Sequence, residues 1–123
     1  MNKRGGVTVL VAIGALVASI WAVSAFGGAT SSDATTQRVA VTMTEFKFVL
    51  RPRTVRKGTV VFTVTNRGTV AHDFKIAGKK TAKVAPGRRT TLRVTFRRKG
   101  RFPYLCTLPS HAPAGMKGTL LVR

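Results

Sequence analysis

From residue 38 onward the chain alternates. Val39, Val41 and Met43 are separated by Ala40 and Thr42; Val60, Phe62 and Val64 by Val61 and Thr63; Leu92, Val94 and Phe96 by Arg93 and Thr95. Successive side chains of a strand point to opposite faces, so each set predicts a strand with one apolar and one largely polar face. Lys57-Gly58, Asn66-Arg67-Gly68, Ala77-Gly78, Pro86-Gly87 and Lys99-Gly100 each offer a residue tolerant of positive φ, and they predict turns between the runs. No helix-period segment follows residue 37, and there is no internal repeat. About seven to eight short strands bury such faces most economically as two packed sheets, so the expected fold is all-β, a sandwich or a closed Greek-key barrel.

Ahead of the alternation the pattern changes. Val7 to Phe26 is an uncharged, mostly apolar run behind Lys3 and Arg4. Its twenty residues match the length that spans a bilayer core as a helix and exceed the roughly 7–15 apolar residues of a cleavable signal. The basic pair puts the N-terminus inside, and the rest of the chain then faces the extracytoplasmic side. Val23 with Ala25, or Gly27 to Ala29, would suit a signal peptidase, in which case the domain is secreted. No cysteine follows the run, which argues against a lipoprotein anchor. The expected organisation is a signal or transmembrane anchor over residues 1–28, a flexible small-residue linker over 29–37, and one folded domain over 38–123.

The charge narrows the partners. Lys and Arg number 22 against 3 acids, a net charge of +19, and without Lys3 and Arg4 the remainder still carries +17. Nucleic-acid binding calls for a basic stripe with aromatic platforms or a recognisable module. Here the cations are spread through Arg51 to Lys57, Lys75 to Lys83, Arg88, Arg89 and Arg97 to Arg101, and export removes the chain from nucleic acid. One reading is a solvated basic face that keeps the domain soluble; the other is docking to an anionic membrane or cell-wall surface or to a redox protein with an acidic face, held by attraction that salt screens.

An exported chain with an odd cysteine uses it for an intermolecular bridge, a reactive thiol or a metal. Cys106 is the single cysteine, and Cys106, His111 and Met116 follow one another at intervals of five. Thiolate, imidazole and thioether form a soft donor set. Met is a poor ligand for zinc, calcium or magnesium, whereas two His, one Cys and a weak axial Met define an electron-transfer copper site. The chain has two histidines, so the second is His72, expected at the start of a strand. Taken singly, a strand-end His is usually a surface residue and a Met usually fills core. Together with the only Cys, they favour one metal site.

The residues Asn66-x-Gly68, His72-Asp73-Phe74, Pro86-Gly87, Tyr104-x-Cys106 and Cys106-x4-His111-x4-Met116-x-Gly118 carry a resemblance. The stretch from Val39 to Arg123 resembles the cupredoxins, the small blue copper family of Greek-key sandwiches. That resemblance implies one copper ion cycling between Cu(I) and Cu(II). It makes His72 and His111 the equatorial ligands, Cys106 the thiolate and Met116 the long axial contact. It also implies that Asp73, where Asn is commoner, ties the two ligand loops together. Phe74, Leu105, Leu108, Ala112 and Pro113 would shield the ion, with one edge of His111 left near the surface. The implied work is one-electron transfer between partners; the alternative is a copper carrier or sensor that hands the ion on. Oxidase chemistry on this fold needs further copper centres and more histidines, so the chain is not expected to be an enzyme by itself.

Overall fold

The computed structural model describes residues 35–123 together with Gly6 and Gly14. The helix expected over Val7 to Phe26, and with it the 1–28 unit, lies outside the described residues; among those described, no helix is long and apolar enough to cross a membrane.

Nine strands form: β1 (Gln37–Thr44), β2 (Lys47–Arg51), β3 (Thr54–Val55), β4 (Gly58–Asn66), β5 (Lys75–Ile76), β6 (Lys79–Lys80), β7 (Arg89–Phe96), β8 (Gly100–Leu105) and β9 (Lys117–Val122). They make two sheets in the orders β2-β1-β4-β7 and β3-β9-β8-β5-β6. The count exceeds the expected seven to eight because β3, β5 and β6 are two-residue pieces. Both sheets are mixed: β1 runs parallel to β4, and β3 parallel to β9, among antiparallel neighbours.

The alternating pattern places the core. Val39, Val41 and Met43 of β1 and Val60, Phe62 and Val64 of β4 face inward and are buried. In the other sheet Ile76, Tyr104, Leu120 and Val122 do the same. A run of aromatic contacts stitches the layers: Phe48 to Phe74 at 5.4 Å, Phe74 to Phe62 at 5.2 Å, Phe62 to Phe96 at 6.3 Å and Phe96 to Phe102 at 4.8 Å between centroids. Such tilted and edge-on pairs add to the burial of their area. Val61, expected on the polar face of β4, is nonetheless buried, and Leu92 of the edge strand β7 is only half-buried.

Strand polarity gives the sandwich two distinct ends. Register pairs Gln37 with Val60, Gly58 with Phe96 and Gly100 with Val122, and the Lys57 amide donates to the Arg123 carbonyl at 3.0 Å. The chain therefore enters at one end, beside the turns before β4 and between β7 and β8. At the other end lie the β1–β2 turn, the chain after Asn66 and the loop between β8 and β9.

Four of the expected turn glycines, Gly58, Gly78, Gly87 and Gly100, have positive φ. Gly68 does not, and its reason is space: a Cβ there would stand on the Glu45 carboxylate.

Candidate metal centre

The segment from Asn66 to β5 is held before any metal is considered. The fully buried Asn66 side chain donates to the Val70 carbonyl at 2.8 Å and to the Val84 carbonyl at 2.7 Å, and its oxygen accepts from the Gly68 amide at 2.8 Å. Every polar atom of that amide is satisfied, as a buried amide requires. His72 then pairs with Val84 through an isolated bridge, its amide and carbonyl both bonded at 3.2 and 2.7 Å. The sequence reading put His72 at the start of a strand. The strand begins three residues later, at Lys75, and His72 is fixed by the bridge instead.

The second segment leaves β8 at Leu105 and returns in β9 at Lys117. Its ends are closed by the Cys106 amide donating to the Met116 carbonyl at 3.1 Å, and the Met116 amide donates to the His111 carbonyl at 3.1 Å. Ser110, with φ of 69°, turns the chain just before His111. The Tyr104 ring lies against Gly118, its partner in the β8–β9 register, where a Cβ would strike it.

These two segments bring the expected donors together. His72 Nδ1 lies 3.1 Å from His111 Nδ1, and His111 Nδ1 lies 3.4 Å from Cys106 Sγ. The donor atoms of His72, Cys106 and His111 all fall within 4.8 Å of one another. Met116 is fully buried at the foot of the same loop. His72 and Cys106 are buried too, so His111, half-buried, is the member of the four with solvent contact.

Two acids organise the donors. Asp73, buried beside His72, accepts from the Thr107 amide at 2.6 Å and from the Thr107 hydroxyl. It therefore clasps the residue after His72 to the residue after Cys106, the tie expected of it. Glu45 was not anticipated. Its Oε1 accepts from the Thr69 amide at 2.7 Å and the Val70 amide at 3.0 Å, and it lies 3.1 Å from His72 Nε2. The Val70 and Thr69 amides, in that order, pull its carboxyl from the ordinary 4.5 down to about 2, with a smaller contribution from His72. A carboxylate can only accept, so Nε2 of His72 carries the ring proton and Nδ1 presents a lone pair toward His111 and Cys106. This is the outer partner that orients a metal-binding imidazole and fixes its tautomer.

Burial pushes the Cys106 thiol above its ordinary value, opposed by the Asp73 and Leu108 backbone amides. Phe46, the residue after Glu45, packs edge-on to His111 with centroids 5.0 Å apart and is itself 40% exposed. Of the expected shielding residues, Phe74 is buried, Leu105, Leu108 and Ala112 are half-buried and Pro113 is exposed.

Two imidazole nitrogens and a thiol converging in a largely dry pocket, with a thioether residue beside them, fit one soft or borderline cation. First-row metals sit about 2.0–2.3 Å from N and S donors, and donors sharing one ion then stand about 3–4 Å apart. The 3.1 and 3.4 Å separations fall in that range.

A two-sheet sandwich carrying a His, Cys and His cluster at one end defines a metal-binding β-domain of the blue copper class. The cupredoxin-like domain family matches residues 13–122, and this chain belongs to it. Among solved structures, the dithionite-reduced auracyanin of the photosynthetic bacterium Roseiflexus castenholzii superposes with a TM-score of 0.61 at 21% identity, covering 72% of this chain and 98% of that one. Auracyanin B gives 0.61 at 20% identity, covering 71% and 88%. The blue copper oxidase of Nitrosomonas europaea gives 0.58 at 18% identity, covering 72% of this chain but 39% of that one. No curated protein matches by sequence.

Proposed function

We propose that this chain is an extracytoplasmic, membrane-anchored blue copper protein that passes one electron at a time between partner proteins. The observation that carries the reading is the convergence of His72 Nδ1, His111 Nδ1 and Cys106 Sγ within 4.8 Å at one end of a sandwich. Copper held there supplies a Cu(II)/Cu(I) couple. His72, Cys106 and His111 would hold it, with Met116 as a fourth donor. The chain's own part is rigidity. Asp73 and Glu45 fix the two ligand segments by hydrogen bonds that do not depend on oxidation state, so the donors need not move when an electron arrives. Half-buried His111, beside exposed Phe46, is the route by which the electron enters and leaves. The fold is shared with oxidase domains, but two histidines in the whole chain leave none for a further copper centre.

The test is the optical spectrum of the full chain with one equivalent of Cu(II), beside Cys106→Ser. An intense visible copper–thiolate band that is absent in the variant, and that bleaches and returns on reduction and oxidation at constant copper content, is the expected result. Loss of the ion on reduction would favour the carrier reading, and a colourless wild type would remove the electron-transfer reading.

A further inference from the structure

We propose that the end of the sandwich opposite the metal centre is a docking face for an anionic lipid bilayer, on which the domain stands with His111 pointing away from the membrane. This rests on the membrane-anchor part of the proposed function and adds which face meets the lipid.

The chain enters the fold at β1, and its entry point is clamped. The Gln37 side chain donates to the Arg56 carbonyl at 2.7 Å and accepts from the Arg56 amide at 2.7 Å. Arg56 and Lys57 line, with Lys99 and Arg123, a shallow concavity of about 600 Å³. All four are exposed, as are neighbouring Arg97 and Arg98. These cations come from three separate places in the sequence, and strand register brings them to one end: the turn before β4, the β7–β8 turn and the C-terminus. Among residues 35–123 no acidic side chain offsets them, because Glu45 and Asp73 both sit at the metal end.

The geometry of attachment selects a bilayer. Residues 27–36 are a short small-residue stretch between the apolar run ending at Phe26 and the clamp at Gln37. Read as the flexible linker that its composition predicts, ten residues span on the order of 15–20 Å. That tether keeps the basic end within about two Debye lengths of the headgroups at physiological salt. Each Lys or Arg near an anionic surface gains about 1 kcal/mol. Four such residues line the concavity, so the anionic bilayer should hold the basic end for more of the time than the neutral one does.

The experiment is amine footprinting of the full chain reconstituted in vesicles of neutral phosphatidylcholine or of phosphatidylcholine with 30% phosphatidylglycerol, read by mass spectrometry. Lys57 and Lys99 report the basic end, while Lys47 and Lys117, also exposed, report the metal end. The expected result is a several-fold drop in acylation of Lys57 and Lys99 on anionic vesicles alone, reversed by high salt, with Lys47 and Lys117 unchanged. A variant carrying R56E, K57E and R123E should lose the protection of Lys99. Equal protection at both ends, or none on anionic vesicles, overturns the proposal. Flotation of the chain with neutral vesicles tests the anchor separately. A chain that floats without lipid-dependent protection keeps the anchor and loses the face, whereas one that binds only anionic vesicles through Lys57 and Lys99 keeps the face and loses the anchor.

Discussion

Replacing Asp73 by Ala should loosen the two ligand segments from each other, and its cost follows from the contacts. Asp73 is 2% exposed and accepts from both the amide and the hydroxyl of Thr107. Hydrogen bonds to a charged group contribute about 1.5–3 kcal/mol each, and a stranded amide adds a desolvation cost of about 1–3 kcal/mol. Against this, the variant no longer holds a carboxylate away from water, which relieves several kcal/mol. The balance is a destabilisation of about 2–4 kcal/mol. In a folded unit of this size that lowers Tm by about 10–25 °C.

The assay is thermal unfolding of the metal-free reduced chain, since any ion bound only to the native state would add its own stabilisation. Asp73→Asn separates the clasp from mere charge. Asn keeps an acceptor for the Thr107 amide and offers its own amide to the hydroxyl, so it should cost about 1 kcal/mol or less. Thr107→Val removes one arm, costs about 1.5–3 kcal/mol alone and adds little on top of Asp73→Ala, because both changes break the same contact. An Asp73→Ala loss under about 0.5 kcal/mol, or an Asn variant as damaged as the Ala one, refutes the clasp.

Glu45→Gln should destabilise the chain by a constant amount above about pH 5. Because folding lowers the Glu45 pKa from 4.5 to about 2, its contribution is present above the unfolded value and lost as pH falls toward the folded one. The wild-type and variant curves should therefore converge toward pH 2; a difference that persists there assigns the effect to something other than the carboxylate. Gly68→Ala should fold, because the atom in its way is the end of a flexible side chain, yet displace the Glu45 carboxylate. Its effect on the copper spectrum should match that of Glu45→Ala, and the double variant should add nothing further. Copper should raise the apparent stability by about 4 kcal/mol at a thousandfold excess over Kd, and Cys106→Ser, still folded when metal-free, should lose most of that gain in a calorimetric scan.

The strands were legible because burial at alternate positions is local information: Val39, Val41 and Met43 had one face to bury and buried it. Cys106, His111 and Met116 were legible because a single loop carries all three at fixed spacing, and His72 because no third histidine competes with it. Glu45 was not legible. It reaches His72 across 27 residues of sequence, from a hairpin turn whose residues have no periodicity to read. The one available signal was scarcity: an isolated acid, Glu45, in a chain of 22 cations. Gly68 was read as a turn residue for the same reason. Its need for space depends on Glu45, which the local pattern does not contain.

That scarcity connects the site to the surface. Residues 35–123 hold two acidic side chains, and each bonds a segment that carries a ligand: Glu45 to the residues before His72, Asp73 to the residue after Cys106. Acids used this way cannot also balance the cations of the opposite end, so the domain is polarised by the demands of its own site. On the proposed reading, an anionic bilayer attracts the end where the chain enters, and the end bearing His111 and the exposed Phe46 and Val70 is left to a partner. Lys47, Arg67 and Lys117 are exposed at that end, which suits a partner with acidic groups around an apolar centre. Replacing both acids by Ala should then shift both properties together. The ligand segments loosen while the metal end grows more basic, and an acidic partner binds faster to a centre that is less well held.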